Sequence, residues 1–229
     1  MDERRRIAIY GGTFDPVHIG HLEIARRVVE LFEIDQLLFV PATHAPHKLE
    51  REVTLAIHRH AMLVLATQQD EQIFVSTFEL EVPDRRYTIE TLAYFRAKFG
   101  DSVDLFLVMG SDSWSEITTW HQWKEMLTMA NYIVVTRPGY DIRTEHVTNS
   151  VPARVIDLRS VDEASVSSIV RTNELQRIFI TDVVMRDISA TEIRNKARAG
   201  SLGDLSQLVP PPVADYIRKY KLYRNSNEA

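Results

Sequence analysis

Short, mostly apolar runs alternate with longer amphipathic segments through the first 136 residues of the chain. Most of the runs stop at Gly or Pro, which predicts buried strands at 7–10, 37–40, 73–77, 103–109 and 132–136. In the segments between them, apolar residues recur every three or four positions. This spacing predicts helices at 20–32, 55–67, 88–99 and 114–129, the last one broken near Thr118 and Thr119.

Continuous apolar strands that alternate with helices are typical of a parallel sheet covered on both faces. We therefore predict an α/β fold: a Rossmann-like, doubly wound parallel sheet of about five core strands in a three-layer α/β/α arrangement. Its crossovers should be right-handed. The chain shows no repeats and no low-complexity linker, so we expect a single domain over residues 1–229.

The pattern is weaker in the last 90 residues. Residues 141–176 are polar without a clear period, and we expect a surface insertion there, mostly loop with a short strand at 155–158. A strand pattern returns at 178–184. The C-terminal part, 186–223, is expected to be helical, with helices at 191–199, before Gly200, and at 213–222, after a Pro triplet.

Composition excludes several classes of protein. The chain has 27 Lys and Arg against 32 Asp and Glu, a net charge of −5, so a nucleic-acid partner held on a basic face is not expected. It has no Cys, which excludes disulfides, thiolate zinc sites and a cysteine nucleophile. No apolar run approaches the roughly 18 residues of a membrane span, and the N-terminal run is too short for a signal peptide. We expect a cytoplasmic protein with no membrane partner.

The first candidate site is the sequence GGTFDPVHIGH, residues 11–21, between the first strand and the first helix. Ligands of open α/β sheets bind outside the carboxyl ends of the strands. Gly11 and Gly12 allow close approach of backbone to an anion, and the helix N-terminus attracts negative charge. His18 and His21, three residues apart, can face one side of the first helical turn and donate to phosphate oxygens.

Two other interpretations of this turn remain open. It is compatible with an ordinary glycine turn that carries two surface histidines. Alternatively, His18 and His21 could join His44 and His47 in a zinc site, which would need three or four ligands.

The second candidate site is ISATEIR, residues 188–194, at the start of a helix. Ser189 and Glu192 have the spacing of a capping box, which is a purely structural role. The same geometry offers Ser189, Thr191 and Arg194 at a helix N-terminus, which is an anion site. The residues alone do not decide between these interpretations.

Both segments carry a family resemblance. Residues 11–21 resemble the HxGH signature of the nucleotidylyltransferase superfamily, and residues 188–194 resemble its ISxTxIR motif. Class I aminoacyl-tRNA synthetases share the HIGH string, but their KMSKS-type loop is absent and the chain is too short for their tRNA-binding domains. The resemblance implies catalytic roles for His18, His21 and Arg194. It implies an ATP site formed by Gly11, Gly12, Thr13, Phe14, His18, His21, Gly110, Asp112, Ile188, Ser189, Thr191 and Arg194.

Further segments resemble the nicotinate-nucleotide adenylyltransferase family. These are PATHAPHK at 41–48, YTIETL at 87–92, GSDS at 110–113 followed by Trp120 and Trp123, and RPGY at 137–140. This implies that nicotinate mononucleotide contacts Thr13, Lys48, Thr88, Trp120 and Arg137. Structural alternatives are a core aromatic for Trp120, a helix N-cap for Asp112, and ordinary surface charges for Lys48 and Arg137.

The resemblance implies transfer of AMP from ATP to nicotinate mononucleotide, giving deamido-NAD and pyrophosphate in NAD biosynthesis. Mg²⁺ is expected to enter with ATP, bound to phosphate oxygens and water rather than to a protein cage. A homo-oligomer is compatible with the sequence. Two alternatives remain: an adenylyltransferase acting on nicotinamide mononucleotide or phosphopantetheine, and a nucleotide-binding regulator without turnover. Phosphopantetheine adenylyltransferases usually carry Thr where this chain has His18.

Overall fold

The computed structural model describes residues 4–43, 53–81, 87–136, 141–152, 154–170, 177–182 and 188–224. In these ranges seven strands form one sheet in which every pairing is parallel, in the order β3-β2-β1-β4-β5-β7-β6. The strands are β1 (Arg5–Gly12), β2 (Gln36–Pro41), β3 (Ile73–Val75), β4 (Val103–Gly110), β5 (Asn131–Val135), β6 (Arg154–Asp157) and β7 (Arg177–Thr181).

The described helices connect these strands and follow them. They are α1 (Ile19–Leu31), α2 (Ala56–Thr67), α3 (Thr88–Phe99), α4 (Ser111–Ser115), α5 (Trp123–Met129), α6 (Glu145–Thr148), α7 (Glu163–Val170), α8 (Ala190–Arg198) and α9 (Pro211–Lys219). Short 3₁₀ turns lie at Ile117–Thr119 and Leu202–Gln207. A helix that could cross a membrane is not found among the described residues.

Two separate apolar cores lie on the two faces of the sheet. Along β1, Ala8 and Tyr10 belong to one core and Ile7 and Ile9 to the other, because successive strand residues point to opposite faces. Helices α1, α2, α7, α8 and α9 contribute to the first core, and α3, α4, α5 and α6 to the second. The predicted Rossmann-like α/β fold is confirmed.

The strand order reverses between β1 and the central strand β4. From β1 the chain continues outward to β2 and β3, whereas β4 leads to β5 on the other side. The carboxyl ends of β1 and β4, at Gly12 and Gly110, therefore lie side by side at the topological switch point, where ligands of such sheets bind.

Most of the helix and strand predictions hold, but the sheet has seven strands in the described ranges where about five core strands were expected, and the last helix is Pro211–Lys219 where 213–222 was expected. The helix predicted over 114–129 starts earlier, at Ser111, and consists of α4, a 3₁₀ turn and α5, so that the expected break near Thr118 is present. The expectation that residues 141–176 are mostly loop is wrong for α6 and α7. Val147 of α6 is 0% exposed in the second core, and Val166 and Val170 of α7 are 1% exposed and pack into the first core.

Candidate functional site

The loop between β1 and α1 is shaped by an aromatic ring. Phe14 is buried with φ 48°, and its ring lies against Gly12, where a Cβ atom would come within 2.8 Å of it. A side chain at Gly11 would meet nothing within 4 Å. Gly12 is therefore required by packing within the loop, whereas Gly11 is exposed at the carboxyl end of the strand, where the sequence predicted access for an anion.

His18 and His21 form a stacked pair at the start of α1. Their ring centroids are 3.6 Å apart with an interplanar angle of 23°. His18 is the N-cap residue, and its backbone N–H donates to His21 Nδ1 at 3.3 Å. Because Nδ1 of His21 accepts, the neutral ring carries its proton on Nε2. The Nε2–H of His21 can then donate to an anion, as the sequence predicted.

His18 is held neutral by burial. Its side chain is 6% exposed, its Nδ1 has no hydrogen-bond partner among the described residues, and burial lowers its pKa to about 4. At neutral pH this ring acts as a hydrogen-bonding group and not as a cation.

The buried neutral His18 predicts an acid-sensitive fold. Unfolding restores a pKa near 6.5, so the unfolded state binds more protons than the folded state between about pH 4 and 6.5. The folded state should lose stability as pH falls through this window, by up to about 3 kcal/mol. Urea denaturation gives the free energy of unfolding of the wild type and of His18→Gln at several pH values. The contribution of His18 is the change, with pH, in the difference between these two free energies. A difference that does not change with pH would contradict the prediction.

The second motif meets the first in space. Ser189 is the N-cap of α8 and its hydroxyl accepts from Glu192 N at 3.2 Å, so the capping role is present. Arg194, 4% exposed, donates from Nη1 to Asp15 O at 2.6 Å and from Nη2 to Thr191 Oγ1 at 2.8 Å. Its positive charge is thereby fixed against the loop that leads to the histidine pair. Ile188, partly buried against the first core, precedes the cap.

The neighbouring strand β4 brings a second set of predicted residues to the switch point. Gly110 ends β4 and is the N-cap of α4, so Asp112 lies in the first helical turn and the N-cap role suggested for it is wrong. Asp112 is exposed at this edge of the sheet, where a ribose hydroxyl was expected.

The predicted acceptor residues Thr88 and Trp120 each follow or precede one member of a stacked ring pair. Thr88 is the first residue of α3, and Tyr87 before it stacks on His121, with ring centroids 4.3 Å apart. Trp120 packs only partly against the second core, and its indole nitrogen is buried without a partner among the described residues. Trp120 therefore shares the core-aromatic role in part, whereas the fully buried aromatic of this region is Trp114, whose Nε1 donates to Arg143 O.

Lys48 and Arg137 lie outside the described residues, as do His44 and His47 of the zinc interpretation. No group of three or more His, Cys, Asp or Glu side chains that could hold a metal is found in the described part of the chain.

Sequence reasoning missed Arg59, which is 1% exposed on α2 and donates to the carbonyl oxygens of Thr13, Ala42 and Thr54. One signal was available. Arg59 occupies the apolar face of α2, three, four and seven positions before Met62, Leu63 and Ala66, which are all buried. A charged residue in an apolar stripe indicates a buried polar partner.

The fold defines a Rossmann-like α/β protein whose two motif segments, 11–21 and 188–194, contact each other through Arg194 and Asp15. A family model described as cytidylyltransferase-like matches residues 9–196. The chain is 34% identical over 228 residues to a probable nicotinate-nucleotide adenylyltransferase of Thermoanaerobacter sp. (strain X514), covering 100% of this chain and 99% of that one. A second relative, a probable nicotinate-nucleotide adenylyltransferase of Mycolicibacterium vanbaalenii, is 34% identical over 225 residues. The match covers 98% of this chain and 95% of that protein.

A solved structure of Plasmodium falciparum nicotinic acid mononucleotide adenylyltransferase complexed with NaAD has the same fold. Its TM-score is 0.70 at 20% identity, over 96% of this chain and 97% of that one. This chain belongs to the cytidylyltransferase-like family and, within it, to the nicotinate-nucleotide adenylyltransferases.

Proposed function

We propose that this protein transfers AMP from ATP to nicotinate mononucleotide, giving deamido-NAD and pyrophosphate in NAD biosynthesis. The observation that carries the proposal is the contact between the two phosphate motifs, Arg194 Nη1 to Asp15 O at 2.6 Å, beside the stacked His18 and His21. The identity of the acceptor is supported by the names of the relatives.

The chemistry is a single in-line displacement. An oxygen of the acceptor 5′-phosphate forms a bond to the α-phosphorus of ATP, the bond from that phosphorus to the bridging oxygen breaks, and pyrophosphate leaves. Negative charge accumulates on the oxygens around the α-phosphorus and on the leaving group. A site that accelerates this step supplies orientation and preorganised donors rather than covalent chemistry.

The described residues suit a division of this work. His21, through Nε2–H, and the neutral His18 would donate to phosphate oxygens at the α1 N-terminus, whose dipole also favours anions. Arg194 and Ser189 would hold the departing β- and γ-phosphates. Mg²⁺, entering with ATP, would neutralise further phosphate charge when bound.

On the acceptor side, the N-terminus of α3 and the indole of Trp120 suit a flat ring that bears a carboxylate. At the start of α3, Tyr87 N donates to Glu90 Oε2 and Glu90 N donates to Tyr87 O, so the backbone N–H groups that could donate to a substrate carboxylate are those of Thr88 and Ile89. Trp120 would stack on the pyridine ring. Thr13, Lys48 and Arg137 would contact the rest of the mononucleotide.

This arrangement predicts a strong preference for nicotinate over nicotinamide mononucleotide. Losing one charge-assisted hydrogen bond and mispairing one donor with the amide NH₂ should cost about 2–4 kcal/mol, or roughly 30- to 1000-fold in kcat/KM. Pyrophosphate release and dinucleotide formation are to be measured with ATP and each acceptor in turn, with phosphopantetheine as a third. Equal kcat/KM for the two mononucleotides would contradict the deamido assignment, and nucleotide binding without pyrophosphate release would indicate a regulator.

The role of Trp120 is tested in the same assay. Trp120→Ala should raise KM for both mononucleotides and leave the KM of ATP unchanged, because stacking does not depend on the ring substituent. Trp123→Ala is the matched control, since Trp123 also packs partly against the second core but begins α5. If both variants raise the acceptor KM equally, the effect reflects packing and not stacking.

A further inference from the structure

Two exposed rings from separate parts of the chain stack on each other beside the proposed acceptor site. The rings of Tyr87 and His121 have centroids 4.3 Å apart and an interplanar angle of 28°. Tyr87 directly precedes Thr88, the first residue of α3, and His121 directly follows Trp120. Because consecutive Cα atoms are only about 3.8 Å apart, the ring pair connects the two elements at the positions where the acceptor is expected.

The main chain is fixed on the Tyr87 side of this contact. Tyr87 N donates to Glu90 Oε2 at 3.0 Å, and Tyr87 O accepts from Glu90 N, also at 3.0 Å. The N–H groups of Thr88 and Ile89 are the ones that remain for a ligand. The Tyr87 ring therefore starts from a fixed point at the N-terminus of α3.

The turn that carries Trp120 is not fixed by its own sequence. Trp123 N donates to Trp120 O at 3.2 Å and closes a turn whose two central residues are His121 and Gln122. Gln122 has φ 50° and ψ 37°, in the left-handed region, where turns usually place glycine or asparagine. A conformation of this kind persists when contacts outside the turn hold it, and the stack of His121 on Tyr87 is such a contact.

Core packing does not account for the ring pair. Tyr87 is 36% exposed, His121 is exposed, and neither ring belongs to either apolar core. The indole nitrogen of Trp120, by contrast, is buried without a partner among the described residues. Burying an N–H group in this way is costly, so the position of Trp120 is imposed by its surroundings. The stack fixes where the turn with Trp120 lies relative to α3.

We propose that Tyr87 and His121 are positioning residues that hold the Trp120 indole at the start of α3, so that one acceptor can use both elements. This inference rests on the proposed function, in which the pyridine ring stacks on Trp120 and the carboxylate accepts from the first N–H groups of α3. Nicotinate gains from both contacts only when their separation matches the molecule, whereas nicotinamide gains mainly from the ring contact. The ring pair thereby contributes to the choice of acceptor, and neither ring needs to touch it.

The test removes this stack and compares it with a second stack on the same helix. His121→Ala removes one ring, whereas His121→Phe keeps a planar ring on Tyr87. Tyr94→Ala is the matched control. Tyr94 is 39% exposed, lies about two turns further along α3, and stacks on Phe78 with ring centroids 3.8 Å apart. The melting temperature, kcat, and KM for ATP and for each mononucleotide are measured for every protein.

His121→Ala should lower kcat/KM for nicotinate mononucleotide by about 3- to 10-fold, the size of effect that one aromatic pair supplies. The value for nicotinamide mononucleotide should fall less, so the ratio of the two decreases, and the KM of ATP should change by less than about twofold. His121→Phe and Tyr94→Ala should keep the wild-type ratio. The positioning role is overturned if the ratio is unchanged in His121→Ala, or if either of the other two variants lowers it equally.

The position of Trp120 is measured separately, without turnover. In proteins that also carry Trp123→Phe, Trp120 is the tryptophan outside the buried core, because the chain has three tryptophans and Trp114 is 0% exposed. Acrylamide should quench the fluorescence of Trp120 more strongly in His121→Ala than in the parent, His121→Phe or Tyr94→Ala. Unchanged quenching in His121→Ala overturns the inference whatever the kinetics show. Increased quenching, with a wild-type protein that does not prefer nicotinate, would count against the proposed acceptor and leave the positioning of Trp120 supported.

Discussion

Replacing His21 with alanine is expected to lower kcat by about 100-fold or more while the protein remains folded. The side chain lies at the N-terminus of α1 with Nδ1 occupied by the His18 N–H, so the proton on Nε2 is directed away from that contact. A donor fixed in this way needs no reorganisation when charge develops on the α-phosphate. That saving appears in kcat rather than in KM, because the interaction strengthens in the transition state.

His21→Gln is the matched control for this prediction. Glutamine retains an N–H donor at a similar reach and can still accept at the N-cap, so it should recover part of the lost kcat. The His18–His21 ring stack is lost in both variants, and their melting temperatures therefore show how much of any effect is due to packing. A His21→Ala protein with wild-type turnover would remove His21 from the catalytic machinery.

The part of the site that the sequence predicted is the part built from local structure. A glycine turn between a strand and a helix has a geometry that depends mainly on its own residues. The sequence of residues 11–21 was therefore enough to predict this turn and to propose it as the phosphate-binding part of the site. The cap at Ser189 is local in the same sense, and it forms as predicted. The packing of the Phe14 ring against Gly12 was not predicted, because it depends on a backbone conformation at Phe14 that the sequence does not encode in any simple pattern.

The contacts that join these local pieces could not be predicted. Arg194 reaches Asp15 across 179 positions, and Tyr223 reaches it across 208. Arg59 bonds to main-chain carbonyls, and any residue type can supply a carbonyl, so no pattern of side chains reveals the partners. Such contacts follow only from the topology that brings the ends of β1 and β2 together.

The helix α7 was missed for a local reason. Three serines and an alanine interrupt its apolar spacing, which leaves Val166 and Val170 as a weak signal of helical period. The available signal was at the start of the helix, where Asp162 accepts from Ser165 N at 3.0 Å and from Ser165 Oγ at 2.6 Å. An acidic N-cap before a short apolar stripe indicates a helix even when the stripe holds only two buried residues.

The second large effect is expected at Arg194. Arg194→Ala should raise the KM of ATP by about 10- to 100-fold, the range for losing one charge-assisted hydrogen bond to a phosphate. The KM of the acceptor should hardly change. Arg194→Lys should recover little, because a single ammonium cannot keep the bonds to Asp15 O and Thr191 Oγ1 and also grip phosphate oxygens in the manner of a planar fork.

The structure adds a control that separates phosphate binding from support of the loop. Thr191→Val removes the hydroxyl that accepts from Arg194 and keeps the side-chain volume, so it loosens the arginine without removing its charge. This variant should raise the KM of ATP by less than Arg194→Ala, and initial-rate titrations of ATP at saturating acceptor measure both. If Arg194→Ala has the same KM for ATP as the wild type, the start of α8 is only a helix cap. The buried guanidinium would then support the loop through its bond to Asp15 O and would not bind the nucleotide.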